Sequence, residues 1–238
     1  MEFFRGNPEI WEKSDNAGPV TEADLAVNAH LSETLQTARP EYGWLSEESE
    51  DTEDRLSTQR QFVIDPIDGT RSFIDGPRDW AHAIAIVENK RPIAGVVAMP
   101  ARELLFSAVL GAGAFANDER LEVSSDKPIE QSTVLTSRPN LRPEFWKNGT
   151  RPGFETAFRS SLAYRMCLVA SGRFDAMITF RPSWEWDIAA GALIISEAGG
   201  KVVDQTGEPL RFNNKTPKTN GVIAGTQEAV AGLLSAKL

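Results

Sequence analysis

Asp65 and Asp68 close an apolar run, Phe62-Val63-Ile64, with Pro66 between them and Gly69-Thr70 directly behind. The run is long enough for one buried strand, so the order reads strand, acidic turn, helix start. Two carboxylates at the end of a central strand are costly to bury and repel one another unless hydrogen bonds, a partner or a cation compensates them. A divalent cation removes both objections. Gly69 lets the backbone approach a ligand closely, and the free amides of a helix opening at Thr70 suit a phosphate. The chemistry this motif offers is metal-assisted work on a phosphate group.

Other acids stand where elements could deliver them. Tyr42-Gly43-Trp44-Leu45 brings Glu47, followed by Glu48, to what reads as a strand end. In Pro19-Val20-Thr21-Glu22-Ala23-Asp24-Leu25, Thr21 suits a helix N-cap and Asp24 the third helical position of a capping box. Asp24 therefore has a structural reading beside a role at the site. Asp187 stands at the start of a helix whose small face, Ile188, Gly191, Ala192 and Ile195, recurs at i, i+3, i+4 and i+7 before Gly199-Gly200 stops it.

The chain has 238 residues and a formal net charge of −9, with 41% hydrophobic and 25% charged residues. An acidic balance argues against a nucleic-acid polymer or an anionic membrane as partner, while a bound cation still allows an anionic substrate. With two histidines and one cysteine, His-dependent triads have little material and no internal disulfide exists, which suits a cytoplasmic setting. Cys167 lies in Met166-Cys167-Leu168-Val169-Ala170 and reads as a packed core thiol. No leader or membrane-spanning stretch is evident in the sequence.

In chain order, Phe3-Phe4-Arg5-Gly6 suits the capped end of a helix, Trp11 to Pro19 a polar loop carrying Lys13 and Asp15, and Leu25, Val27, Leu31 and Leu35 the apolar face of the helix that follows. Short apolar runs from Trp80 to Val123 predict an antiparallel meander. A polar, proline-containing stretch around Ser124 to Glu130 places a boundary, giving an N-terminal α+β half (1–128) with most candidate ligands. The C-terminal α/β half (129–238) holds Asp187, a helix over Ser160–Ser171 and alternating strands.

Trp44-Leu45-Ser46-Glu47-Glu48-Ser49, Asp65-Pro66-Ile67-Asp68-Gly69-Thr70, Trp186-Asp187-Ile188-Ala189-Ala190-Gly191 and Glu197-Ala198-Gly199-Gly200 together resemble the inositol monophosphatase family of magnesium-dependent, lithium-sensitive phosphomonoesterases. Pro19-Val20-Thr21 with Asp24 is similar to the family's early motif. The resemblance implies a layered αβαβα sandwich of two subdomains and two or three magnesium ions held by Glu47, Asp65, the Ile67 carbonyl, Asp68 and Asp187. It also implies a catalytic water positioned by Glu47 and Thr70, with Asp24 hydrogen-bonded to Thr70 and Lys13 near the site. The phosphate is expected at Gly69 and Thr70, and a homodimer is the assembly the resemblance suggests.

Inositol-specific members carry a glutamate seven residues before the aspartate that Asp187 matches, and Phe180 stands there. The Ser160–Ala170 stretch and Glu185-Trp186-Asp187 look more like the 3′(2′),5′-bisphosphate nucleotidase branch. Ser161, Arg165, Glu185 and Asp187 are then the expected substrate contacts, with Arg165 on a second phosphate and Phe180 or Trp184 stacked on a base. Inositol 1-phosphate, a sugar phosphate or histidinol phosphate is the alternative substrate, and an interaction module for the transcription machinery the alternative class. Family members open with a long helix ahead of the position of Phe3, missing or cut to a stub here.

Overall fold

The computed structural model describes residues 1–13 and 18–238, so Asp15 of the predicted polar loop lies outside the described residues. A short hairpin, β1 (Ile10–Glu12) and β2 (Pro19–Thr21), leads into helix α1 (Glu22–Ala38). A seven-stranded sheet follows: β3 (Gly43–Ser46), β4 (Arg60–Asp68), β5 (Ala81–Glu88), β6 (Arg91–Met99), β7 (Leu104–Val109), β8 (Gly113–Ala116) and β9 (Glu119–Arg120), with helix α2 (Thr70–Asp75) after β4. Every pairing in it is antiparallel except β3 with β4, which run parallel.

Beyond the polar stretch that ends the first half lies a mixed five-stranded sheet in the order β11-β10-β12-β16-β14. Its strands are β10 (Thr133–Leu135), β11 (Glu155–Ala157), β12 (Ala176–Thr179), β14 (Lys201–Val203) and β16 (Val222–Gly225). A two-stranded ribbon joins β13 (Ser183–Trp184) to β15 (Lys218–Thr219), and helices α3 (Leu162–Ala170), α4 (Glu185–Glu197) and α5 (Gln227–Ala236) complete the chain.

Contacts stack these elements as α1 and α2, large sheet, α3 and α4, second sheet, α5: the αβαβα sandwich expected. Small residues set the close spacing at its centre. Ala81, Ala83, Ala85 and Val87 alternate toward the interior along β5, and a Cβ at Gly95 of β6 would sit 3.0 Å from Ala190 Cα of α4. Helix α4 is buried almost all round because it touches both sheets, and one apolar cluster runs continuously through it from β5 and β6 to β12 and β16. The helix that carries Asp187 is therefore held from two sides.

The N-terminal elements differ from expectation. Phe3 to Gly6 forms a turn, closed by Gly6 N donating to Phe3 O, in place of a helix end. Its two phenylalanines cover Ile67, Phe73 and Trp80. Along α1, Leu25 is exposed and Val27, Leu31 and Leu35 are only half-buried, because the helix meets the sheet mainly through β4, where Ala23 and Asp24 are buried.

Candidate metal and phosphate site

The site is made by an irregularity in β4. Side chains alternate across a strand, so residues three apart face opposite sides of a regular one. The β4–β5 register slips between Asp65 and Asp68, where Pro66 has no amide to give to the ladder, and the slip turns both acids toward the same end of the sheet. Gly69 then adopts φ 95°, where an added Cβ would lie 2.9 Å from Asp79 O, so only glycine makes this turn into α2. Strand β3, parallel to β4, delivers Glu47, whose amide donates to Ile64 O at 3.2 Å. Asp187 comes from the first turn of α4.

Carboxylate oxygens of Glu47, Asp65 and Asp187 all lie within 4.8 Å of one another. Asp65 Oδ1 is buried with no hydrogen-bond partner, as are Gln61 Oε1, Trp80 Nε1 and Trp186 Nε1, and it is the one carboxylate oxygen among them, where that state costs most. Burial first, then the neighbouring charges of Glu47, Asp68 and Asp187, holds Asp65 well above the ordinary carboxylate range. Asp187 is raised likewise by burial, then Asp68 and Glu47, with Arg181 and Lys13 pulling the other way. Convergent hard oxygen donors, one of them orphaned, fit a divalent cation.

Asp68 is tied differently. Its Oδ2 accepts Ser161 Oγ at 2.8 Å and Ala163 N at 2.6 Å from the start of α3, and these bonds oppose the upward shift that burial imposes. Ser161 also accepts Tyr164 N at 3.0 Å and so caps the same helix.

Asp24 closes the capping box and also reaches Thr70. Its Oδ2 accepts Thr21 N and Thr21 Oγ1 at 2.8 and 2.6 Å, closing the capping box, while Oδ1 lies 3.4 Å from Thr70 Oγ1. Thr70 Oγ1 is also 3.1 Å from Ile67 O, the carbonyl expected to face a metal. Lys13 Nζ pairs with Glu47 at 2.7 Å and with Glu48 at 2.6 Å. Glu48 thus supports Lys13 and stands outside the carboxylate trio; burial pushes it up to about 6.

A 730 Å³ cavity opens beside the acids, lined by Glu47, Gly69, Thr70, Ser160, Arg165 and Arg181 among others. Arg165 is buried, with Nε donating to Arg159 O, and desolvation pushes it down to about 10 against the favourable field of Asp68. Arg181, exposed at the end of β12, was not singled out by its sequence context; an Arg-Pro pair just past an apolar strand is the signal that marks it.

Three expected substrate contacts lie elsewhere. Glu185 is fully buried and accepts Asn213 N, Asn214 N and Asn214 Nδ2 at 2.6, 2.9 and 2.7 Å, so the start of α4 spends this carboxylate on the 213–214 loop. Phe180 packs against Phe145 and Trp146 in the core beneath α5. Trp184 stacks on Trp186 at 4.5 Å and carries Lys218 Nζ 3.7 Å from its ring centre. Cys167 is a buried core thiol, as predicted. Among the described residues no helix is long and apolar enough to cross a membrane.

A five-layer sandwich with an all-oxygen acidic cluster beside a glycine turn and a basic cavity defines a class of phosphate-ester hydrolases. Residues 3–238 match the inositol monophosphatase family model, and the chain belongs to that family, whose members are phosphoric monoester hydrolases. It is 36% identical over 217 residues to a histidinol-phosphatase of Mycobacterium tuberculosis, covering 86% of this chain and 81% of that protein. It is 30% identical over 237 residues to the Escherichia coli 3′(2′),5′-bisphosphate nucleotidase CysQ, covering 97% and 93%. The extragenic suppressor protein SuhB of Bartonella henselae superposes with a TM-score of 0.81 at 32% identity over 96% of this chain and 88% of its own.

Proposed function

We propose that this protein is a magnesium-dependent phosphomonoesterase acting on a small substrate that bears a second phosphate, a 3′(2′),5′-bisphosphate nucleotide such as adenosine 3′,5′-bisphosphate. The observation that carries the substrate reading is the presence of three arginines, Arg71, Arg165 and Arg181, on the cavity that also holds Glu47, Gly69 and Thr70, two of which, Arg165 and Arg181, stand on the second-sheet side of it. Guanidinium groups bind phosphate through paired donors. They suit histidinol phosphate, whose organic part is cationic, far less well, and the burial of Phe180 leaves position 180 with nothing to offer the hydroxyls of inositol.

Glu47, Asp65, Asp187 and the Ile67 carbonyl would hold magnesium, with Asp68 completing the set. Bound there, the cation supplies charge neutralisation for the phosphate and a more acidic water. The chain's own groups do the rest. Thr70 Oγ1, oriented by Asp24 Oδ1 and Ile67 O, and the Glu47 carboxylate hold the attacking water; Lys13 holds Glu47 in place through their ion pair. Ser161 and the Ala163 amide fix Asp68 so that its remaining oxygen faces the site. The amides that follow Gly69 receive the phosphate, and Arg165 and Arg181 bind the second one, which orients the ester. An intact carboxylate trio with an orphaned oxygen favours this chemistry over a purely scaffolding role.

Phosphate release measured with magnesium on adenosine 3′,5′-bisphosphate, inositol 1-phosphate, fructose 1,6-bisphosphate and histidinol phosphate tests the reading. The nucleotide should have the highest kcat/KM. A clear preference for inositol 1-phosphate or histidinol phosphate overturns the substrate assignment, and no release from any ester would return the protein to the interaction-module class.

A further inference from the structure

Phe158 follows β11, the edge strand of the second sheet, and 54% of its surface is exposed. Its ring stands on the rim shared by two cavities. One is the 730 Å³ cavity of the acidic site; the other is a 510 Å³ groove lined by Thr136, Ser137, Arg138, Leu141 and residues 156–158. Arg165, which lines the first cavity, places its guanidinium carbon 4.6 Å from the centre of the Phe158 ring. A side chain that faces the second phosphate therefore also braces the ring that begins the groove.

The groove is largely apolar, with hydroxyls from Thr136, Ser137 and Thr156 and one charged side chain, Arg138. As the edge strand, β11 also leaves one row of main-chain donors and acceptors without a strand partner. A flat apolar wall, scattered hydroxyls and free backbone groups are what a heteroaromatic base needs: stacking on one face and hydrogen bonds at one edge. The other aromatic groups in reach of such a role are occupied, Phe180 in the core and Trp184 between Trp186 and Lys218.

We propose that Phe158 and the groove behind it form a nucleobase subsite, in which the base of the substrate stacks on the Phe158 ring while Arg165, beneath it, meets the adjacent phosphate. This rests on the bisphosphate-nucleotide reading above. It makes Phe158 a specificity-determining residue that acts on binding and leaves the reacting phosphate untouched.

The test compares wild type, Phe158→Ala and Phe158→Trp on adenosine 3′,5′-bisphosphate and on 1,2-dideoxyribose 3,5-bisphosphate, the same ester without a base, with melting temperature as the check on folding. Phe158→Ala should raise KM for the nucleotide roughly 10-fold more than for the base-free ester, the scale of one lost stacking contact, any shift common to both esters reporting the lost packing under Arg165. Phe158→Trp should restore the nucleotide KM. If wild type hydrolyses both esters and Phe158→Ala shifts neither, or shifts both alike, the subsite is overturned while the bisphosphate reading stands. If wild type hydrolyses neither, the bisphosphate reading fails and takes the subsite with it.

Discussion

Replacing Asp65 by asparagine should make the metal-free protein more stable and the metal-loaded protein comparatively less so. Oxygens of Glu47, Asp65 and Asp187 lie within 4.8 Å of one another. At an effective dielectric constant of about 20, two unit charges at that separation repel by about 3.5 kcal/mol, and Asp65 has two such neighbours. The protein sheds much of this repulsion by retaining protons, since burial and the surrounding carboxylates hold Asp65 and Asp187 well above their ordinary range. The relief left for Asp65→Asn to deliver is a fraction of the Coulomb sum, about 1–3 kcal/mol. For a domain of this size that is a melting-temperature rise of roughly 2–12 °C in chelator. Magnesium should then invert the order. A ligand bound only by the native state at about 100 times its Kd contributes about 2.7 kcal/mol, or roughly 5–11 °C, to wild type. The variant, short of one donor, should gain far less. Scanning calorimetry with chelator and with magnesium reads both. A variant that melts below wild type in chelator, or gains as much from magnesium, would refute the view of the trio as a cation site held under repulsion.

Three further outcomes are expected. In chelator, wild-type stability should fall as pH rises from 4.5 through about 6: burial lifts folded Glu48 to about 6 from 4.5, so the folded state keeps a proton the unfolded chain has already lost. Asp65, Asp68 and Asp187, shifted the same way, add to the fall, and melting curves that instead rose across this range would contradict the assignment. Glu185→Ala should lower stability in urea by about 3 kcal/mol, because it strands the amides of Asn213 and Asn214, with magnesium affinity unchanged; a raised KM at unchanged stability would restore Glu185 as a substrate contact. Arg181→Ala should raise KM for adenosine 3′,5′-bisphosphate roughly 10-fold more than for a single-phosphate ester, and an equal effect on both would show that Arg181 acts only through Asp187 and does not read the second phosphate.

The acidic turn was legible because it is local: apolar run, Asp65, Pro66, Asp68 and Gly69 fix strand, slip and turn within one stretch of chain. The capping box at Thr21 and Asp24 is local too, and so is the close-packing face of α4. Glu185 shows where such reading stops. It sits two residues from Asp187, but α4 begins there and successive side chains point in different directions, so adjacency in sequence says nothing of a shared cavity. What decides its role is the 213–214 loop, distant in sequence. Phe180 failed for the opposite reason: its position in the family pattern said what was missing, and only the packing of Phe145 and Trp146 says what stands there instead. Arg181 and Phe158 escaped notice because exposure at a cavity rim leaves no periodicity behind.

Ser161 ties together two things that natural variation would otherwise adjust separately. Its hydroxyl both starts α3, which carries Arg165, and restrains Asp68. Any drift that slid α3 to fit a differently shaped ester would drag Asp68, the neighbour of the carboxylate trio, with it. Divergence in this fold is thereby channelled into exchanging side chains on a stationary helix. Laboratory selection for a new ester should accordingly collect its early changes at 158, 165 and 181 and spare 161 to 163.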